Sequence, residues 1–132
     1  MPKAGHLLVV AAIAALAASR PAAAEPLAVH IHSERAMFQV LISPGTVGSD
    51  NFVLQLMSGD GNLLRVKEAT LFLSRPGQGA EPQERKAVPG ADGYWHVADV
   101  PIPAAGRWHL RVDAVTAFQK ITLEDDFEVA AP

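Results

Sequence analysis

From residue 26 onward, apolar and polar residues alternate with a period of two through nearly every segment of this chain. No stretch keeps an apolar helical stripe for the roughly 12 residues that an amphipathic helix needs. A period of two places successive side chains on opposite faces of a strand, so such a chain buries one face of a sheet and leaves the other wet. In residues 27–32, Leu27, Val29 and Ile31 share one face while His30 and His32 share the other. A second strand is predicted over 36–42, ended by Ser43-Pro44-Gly45. A third over 51–57 puts Phe52, Leu54 and Leu56 on one face and Met57 on the opposite one, before the turn Gly59-Asp60-Gly61-Asn62.

The pattern continues to the C-terminus. Residues 63–66 and 68–74 read as two strands or as one long strand with an irregularity. Strands are expected at 83–88, at 94–98 with Trp95 and Val97 inward, and at 107–113 with Trp108, Leu110 and Val112 inward. Residues 118–123 and 126–129 complete the set. Pro101 and Pro103 lack the N–H that a central ladder requires, which places their segment at an edge or in a connection. About seven to nine short strands with turn signals every 8–12 residues predict an all-β fold, an immunoglobulin-like antiparallel β-sandwich.

The first 24 residues depart from the pattern. Lys3 precedes an unbroken apolar run at 7–18, and Ala22-Ala23-Ala24 supplies the small residues of a cleavage site before Glu25. This is the layout of a secretory signal peptide, and the run is shorter than the roughly 20 residues that span a bilayer. The expectation is a cleaved signal at 1–24 and one domain at 25–132, exported to the periplasm, with no stable membrane insertion after cleavage.

The chain has no cysteine, which excludes disulfides, thiolate zinc sites and a cysteine nucleophile. A formal charge of -3, made more negative by loss of Lys3 and Arg20 with the signal, argues against a nucleic-acid partner. No nucleophile elbow, zinc-protease, phosphate-loop or dinucleotide motif is present, so a non-enzymatic protein is expected. Glu124, Asp125, Asp126 and Glu128 cluster near the C-terminus and read as a solvated edge.

One constellation carries chemistry. His30 and His32 are two apart on one strand face, with Cβ atoms near 7 Å, a spacing from which two imidazoles can converge on one metal. Met37 adds a thioether five residues later, and the amine of the cleaved chain at Glu25 is a further donor. Met57, His96 and His109 are outward positions that could add others. Imidazole and thioether donors together suit copper better than magnesium or calcium. Such ligands bind only when the imidazole is neutral, so affinity should fall in acid. The same histidines would serve equally as the polar face of a solvated edge strand, with Met37 in the core.

A wider set of short motifs points the same way. His30-Ile31-His32 with Ala36-Met37 is followed by Ser43-Pro44-Gly45 and Gly48, then by 66–71, 79–82 and Asp92-Gly93-Tyr94-Trp95. Ile102-Pro103, Gly106-Arg107-Trp108, Arg111-Val112-Asp113 and Phe118-Gln119-Lys120 close the series. The chain resembles, over about residues 28–129, the soluble extracytoplasmic YtkA-like domain of CopD/YcnJ-type copper transport proteins. That resemblance implies a periplasmic β-sandwich in copper homeostasis, with His30, His32 and Met37 matching the family's recurrent H-x-H…A-M opening. It departs from the pattern in having no multi-helix transporter segment attached.

The expected function is therefore a copper-binding or copper-handling accessory protein whose metal ligands are His30, His32 and Met37. Cu(I) would use the thioether, and Cu(II) the two histidines with the chain amine or Glu34. A copper ion and a membrane copper transporter are the implied partners. The alternative is an interaction module that binds no metal and docks onto a transporter or an oxidase-assembly partner.

Overall fold

A computed structural model describes residues 26–77, 79 and 81–132. The signal peptide expected at 1–24, and Glu25 with the chain amine expected there, lie outside the described residues. Among the described residues nine strands follow one another: β1 (Leu27–His32), β2 (Ala36–Ser43), β3 (Gly48–Ser58), β4 (Val66–Ser74), β5 (Gln83–Lys86), β6 (Val88–Pro89), β7 (Trp95–Ile102), β8 (Gly106–Thr116) and β9 (Lys120–Val129). They form two antiparallel sheets, ordered β1-β2-β3-β7-β6 and β5-β4-β8-β9. The all-β sandwich expected from the alternation is the fold observed.

The inward set of each strand builds one core. Val29 and Ile31 of β1, Phe38, Val40 and Ile42 of β2, and Phe52, Leu54 and Leu56 of β3 meet Leu71, Leu73, Trp108, Leu110 and Val112 of the facing sheet. Phe38, Phe52, Leu54, Leu71 and Leu110 are completely buried. Burying a side chain of this size contributes about 1.5–3 kcal/mol, and this core must hold the fold without a covalent cross-link.

Several expectations are refined by pairing. The irregularity foreseen after residue 63 is a register shift between Val66 and Glu68 in the β4–β8 ladder. The segment 83–88 changes sheets instead of forming one strand: β5 pairs with β4, while β6 pairs with β7. Pro101 lies in β7, which β6 flanks only at its start, so Pro101 itself sits at an edge as expected. Its missing N–H is tolerated because β6 pairs only with Trp95 and His96, leaving the later half of β7 open on that side. A bulge in the β3–β7 ladder places Asp99 at φ 53, and its N–H donates to Asn51 Oδ1 at 3.0 Å. Residues 120–129 form one strand, and Phe118, expected within a strand, stands in the turn before it. Trp108 is core as foreseen, but Trp95 is only half-buried at the start of β7.

A candidate soft-metal row on the outer sheet face

β1 and β2 form a hairpin whose closing turn sets the register of the candidate residues. Ser33 N–H donates to Ala36 O at 2.9 Å, and the Ser33 hydroxyl accepts from the Ala36 N–H at 3.2 Å. The pair immediately before that closure is His32 opposite Met37. Because Ser33 and Ala36 carry the cross-strand bond, His32 and Met37 form a non-hydrogen-bonded pair, the narrower class, with Cα atoms about 4.5 Å apart. Their side chains leave the sheet on the same, outward face.

His30 sits one outward position further from the turn, opposite Gln39. It is therefore beside His32 along the strand and diagonal to Met37. Both histidines are exposed, and Met37 is half-buried outside the core. The three residues foreseen as ligands are thus neighbours on one open face. Among the described residues there is no cluster of three or more His, Cys, Asp or Glu side chains of metal-binding geometry. Beside the two histidines this face offers the thioether of Met37.

The other two histidines among the described residues, His96 and His109, are already occupied. His96 Nε2 lies 2.9 Å from both carboxylate oxygens of Asp92, and this contact is the main cause of Asp92's lowered pKa. Its ladder partner in β3 is Val53, two outward rows away from Met57. His109 belongs to the other sheet, with Nδ1 at 2.6 Å from Asp126 and Nε2 at 2.8 Å from Glu124. Neither joins His30 and His32, which make no hydrogen bond or ion pair of this kind among the described residues. The acidic stretch expected to be merely solvated therefore has a job: two of its carboxylates hold His109.

The end of the sandwich carrying His32 is tied together by its loops. Gly59 N–H donates to Arg35 O at 3.0 Å, and Arg35 Nη1 donates to Gln119 Oε1 at 3.3 Å. The β8–β9 turn there presents Phe118, 96% exposed, beside an open cavity of about 440 Å³ lined also by Leu64 and Arg65. An aromatic ring left wholly in water was not legible from alternation, which placed it at the start of a strand.

The fold and this face define a β-sandwich domain with open imidazole and thioether donors. A family model for FixH matches residues 13–127, and the chain belongs to the FixH family, an extracytoplasmic domain family. The family shown is thus FixH, and the match is not specifically to the YtkA-like domain that the short motifs resemble. No curated protein and no solved structure matches the chain. Among the described residues, no helix is long and apolar enough to cross a membrane.

Proposed function

We propose that this chain is a non-enzymatic, extracytoplasmic copper-handling accessory protein that serves the assembly of a copper-containing oxidase. The observation that carries this reading is the close pairing of His32 with Met37 on an exposed face, with His30 beside them. Membership of the FixH family supports the accessory role. Copper is the proposed cargo, carried on the outward face that His30, His32 and Met37 share and then passed on. Soft thioether and borderline imidazole donors favour it over hard cations. An open strand face suits delivery, because an acceptor's ligands can approach the ion without the sandwich opening.

The test is made in cells by replacing the chain with its His30→Ala/His32→Ala form and measuring oxidase activity and copper content. Lower oxidase activity that added copper restores is the expected result. Full activity at limiting copper would contradict the cargo role.

A second reading, a docking module that binds no metal, is favoured by one observation, the fully exposed Phe118 at the β8–β9 turn. Docking through Phe118 would serve the copper reading as well, since Phe118 and His32 lie at the same end of the sandwich, so the two readings differ in whether the chain binds copper.

A further inference from the structure

We propose that Met57 is a third ligand and that His32, Met37 and Met57 together form a Cu(I) site, with His30 outside it. This inference rests on the copper-handling reading above and specifies the ligand set and oxidation state.

The register carries it. Met37 of β2 faces His32 across one ladder and Met57 of β3 across the other. Residues along β2 alternate in the side to which their backbone groups point. Ala36 points toward β1, since its carbonyl accepts from Ser33. Arg35 points toward β3, since its carbonyl accepts from Gly59 N–H at 3.0 Å. Met37 shares Arg35's side, so Met37 and Met57 are a hydrogen-bonded pair, with Cα atoms about 5.5 Å apart. The three donors therefore stand in one straight row across three adjacent strands, with Met37 central and a span of roughly 10 Å from His32 to Met57. The flexible thioether of Met57 from one side and the imidazole of His32 from the other can meet that of Met37 above the middle of the row.

Neither methionine is part of the core. Apart from Met1 they are the only methionines in the chain, and they are side by side. Both are half-buried on the outward face, and neither belongs to the core cluster nor to the apolar residues packed against it. Beyond Met57, the row ends at Leu63, which bridges to it and is 49% exposed, an apolar wall at the end of the row.

The donor chemistry selects the oxidation state. Two thioethers and one imidazole are soft, neutral ligands that suit Cu(I), whereas Cu(II) seeks harder nitrogen and oxygen donors. The nearby carboxylate of Asp60 is committed to the Ser58 hydroxyl and to the backbone and side-chain N–H groups of Asn62. His30 faces Gln39 in the next row, so removing it leaves the proposed set complete.

The test is an anaerobic titration of the full chain with Cu(I) against a chromogenic Cu(I) chelator, repeated with Cu(II) in air. Met57→Leu and His32→Ala should each weaken Cu(I) binding by about tenfold or more, and His30→Ala by less than about twofold. Met57→Leu should leave Cu(II) binding within about twofold, since a thioether contributes little to it. Met-to-Leu exchange conserves volume, so the fold should survive. Titration of the unaltered chain with Ag(I), watching the methionine methyl resonances, gives an independent readout in which both Met37 and Met57 must shift. Unchanged Cu(I) affinity in Met57→Leu, or a silent Met57 methyl with Ag(I), overturns this ligand set. If His32→Ala still weakens copper binding in that case, the copper-handling reading survives. An unaltered chain that binds neither Cu(I) nor Cu(II) overturns both.

Discussion

His109 stands between two carboxylates on the outer face of the four-stranded sheet, with Asp126 Oδ1 2.6 Å from its Nδ1 and Glu124 Oε1 2.8 Å from its Nε2. Only the imidazolium can donate from both nitrogens. The Asp126 hydrogen bond is the largest influence raising its pKa above 6.5, and partial burial opposes it without prevailing. Because the folded-state pKa is raised, the added stability is complete below 6.5 and disappears as pH rises through the raised value. His109→Gln should therefore lose stability in urea at about pH 5.5 and almost none at about pH 9. The loss should be on the order of 1 kcal/mol or less, since the carboxylates are well exposed and solvent screens the pair. An equal loss at both pH values would contradict the role assigned to the charge.

Asp50 presents the opposite case. It is completely buried where β3 meets β7, and neither carboxylate oxygen has a hydrogen-bond partner of normal geometry. Burial raises its pKa; the nearby backbone N–H groups of Gly45 and Thr46 lower it only in part. A raised carboxyl pKa means that ionisation costs stability, so the fold weakens as pH climbs from 3.8 through the raised value. Asp50→Asn should be more stable than the unaltered chain near pH 7 by about 1–2 kcal/mol, with the difference vanishing near pH 3. Urea denaturation at the two pH values checks both statements.

Trp108 is the largest side chain of the core and keeps its polar edge satisfied, donating from Nε1 to Ala104 O at 2.9 Å. Trp108→Ala should destabilise the fold by about 3–5 kcal/mol, through lost burial and the cavity left behind. Trp108→Phe, which keeps most of the volume but leaves the Ala104 carbonyl without this donor, should cost about 1–2 kcal/mol. Equilibrium unfolding of the two variants should rank them in that order.

The strands and inward faces were legible because a period of two reports burial directly: β1, β2 and β3 bury the residues that alternation assigned. The outward placement of His30, His32 and Met57 follows from the same rule. What alternation does not contain is which strands pair and in what register. Met37 could be read as core or ligand until the Ser33–Ala36 closure set it opposite His32. The His109 clasp joins residues 15 and 17 apart through the β8–β9 ladder, so no local motif announces it. The sheet change at Ala87 and the exposure of Phe118 depend on tertiary packing in the same way. The short motifs that resemble the YtkA-like domain conveyed an extracytoplasmic sandwich, while the family itself proved to be FixH.

Phe118 tests the docking reading without touching the face that carries His30, His32 and Met37. Phe118→Ser removes an exposed ring that supports nothing in the core, so stability should change by less than about 0.5 kcal/mol. Cross-linking in membranes should then show reduced capture of the chain by the oxidase. Undiminished capture would exclude this turn as the contact.

The central claim, that the His30–His32–Met37 face holds copper, is tested most directly by titrating copper into the purified chain and its His30→Ala/His32→Ala variant. The unaltered chain should bind one ion, and the folded double variant should bind it about tenfold or more weakly. Equal affinity in the two proteins would contradict the assignment.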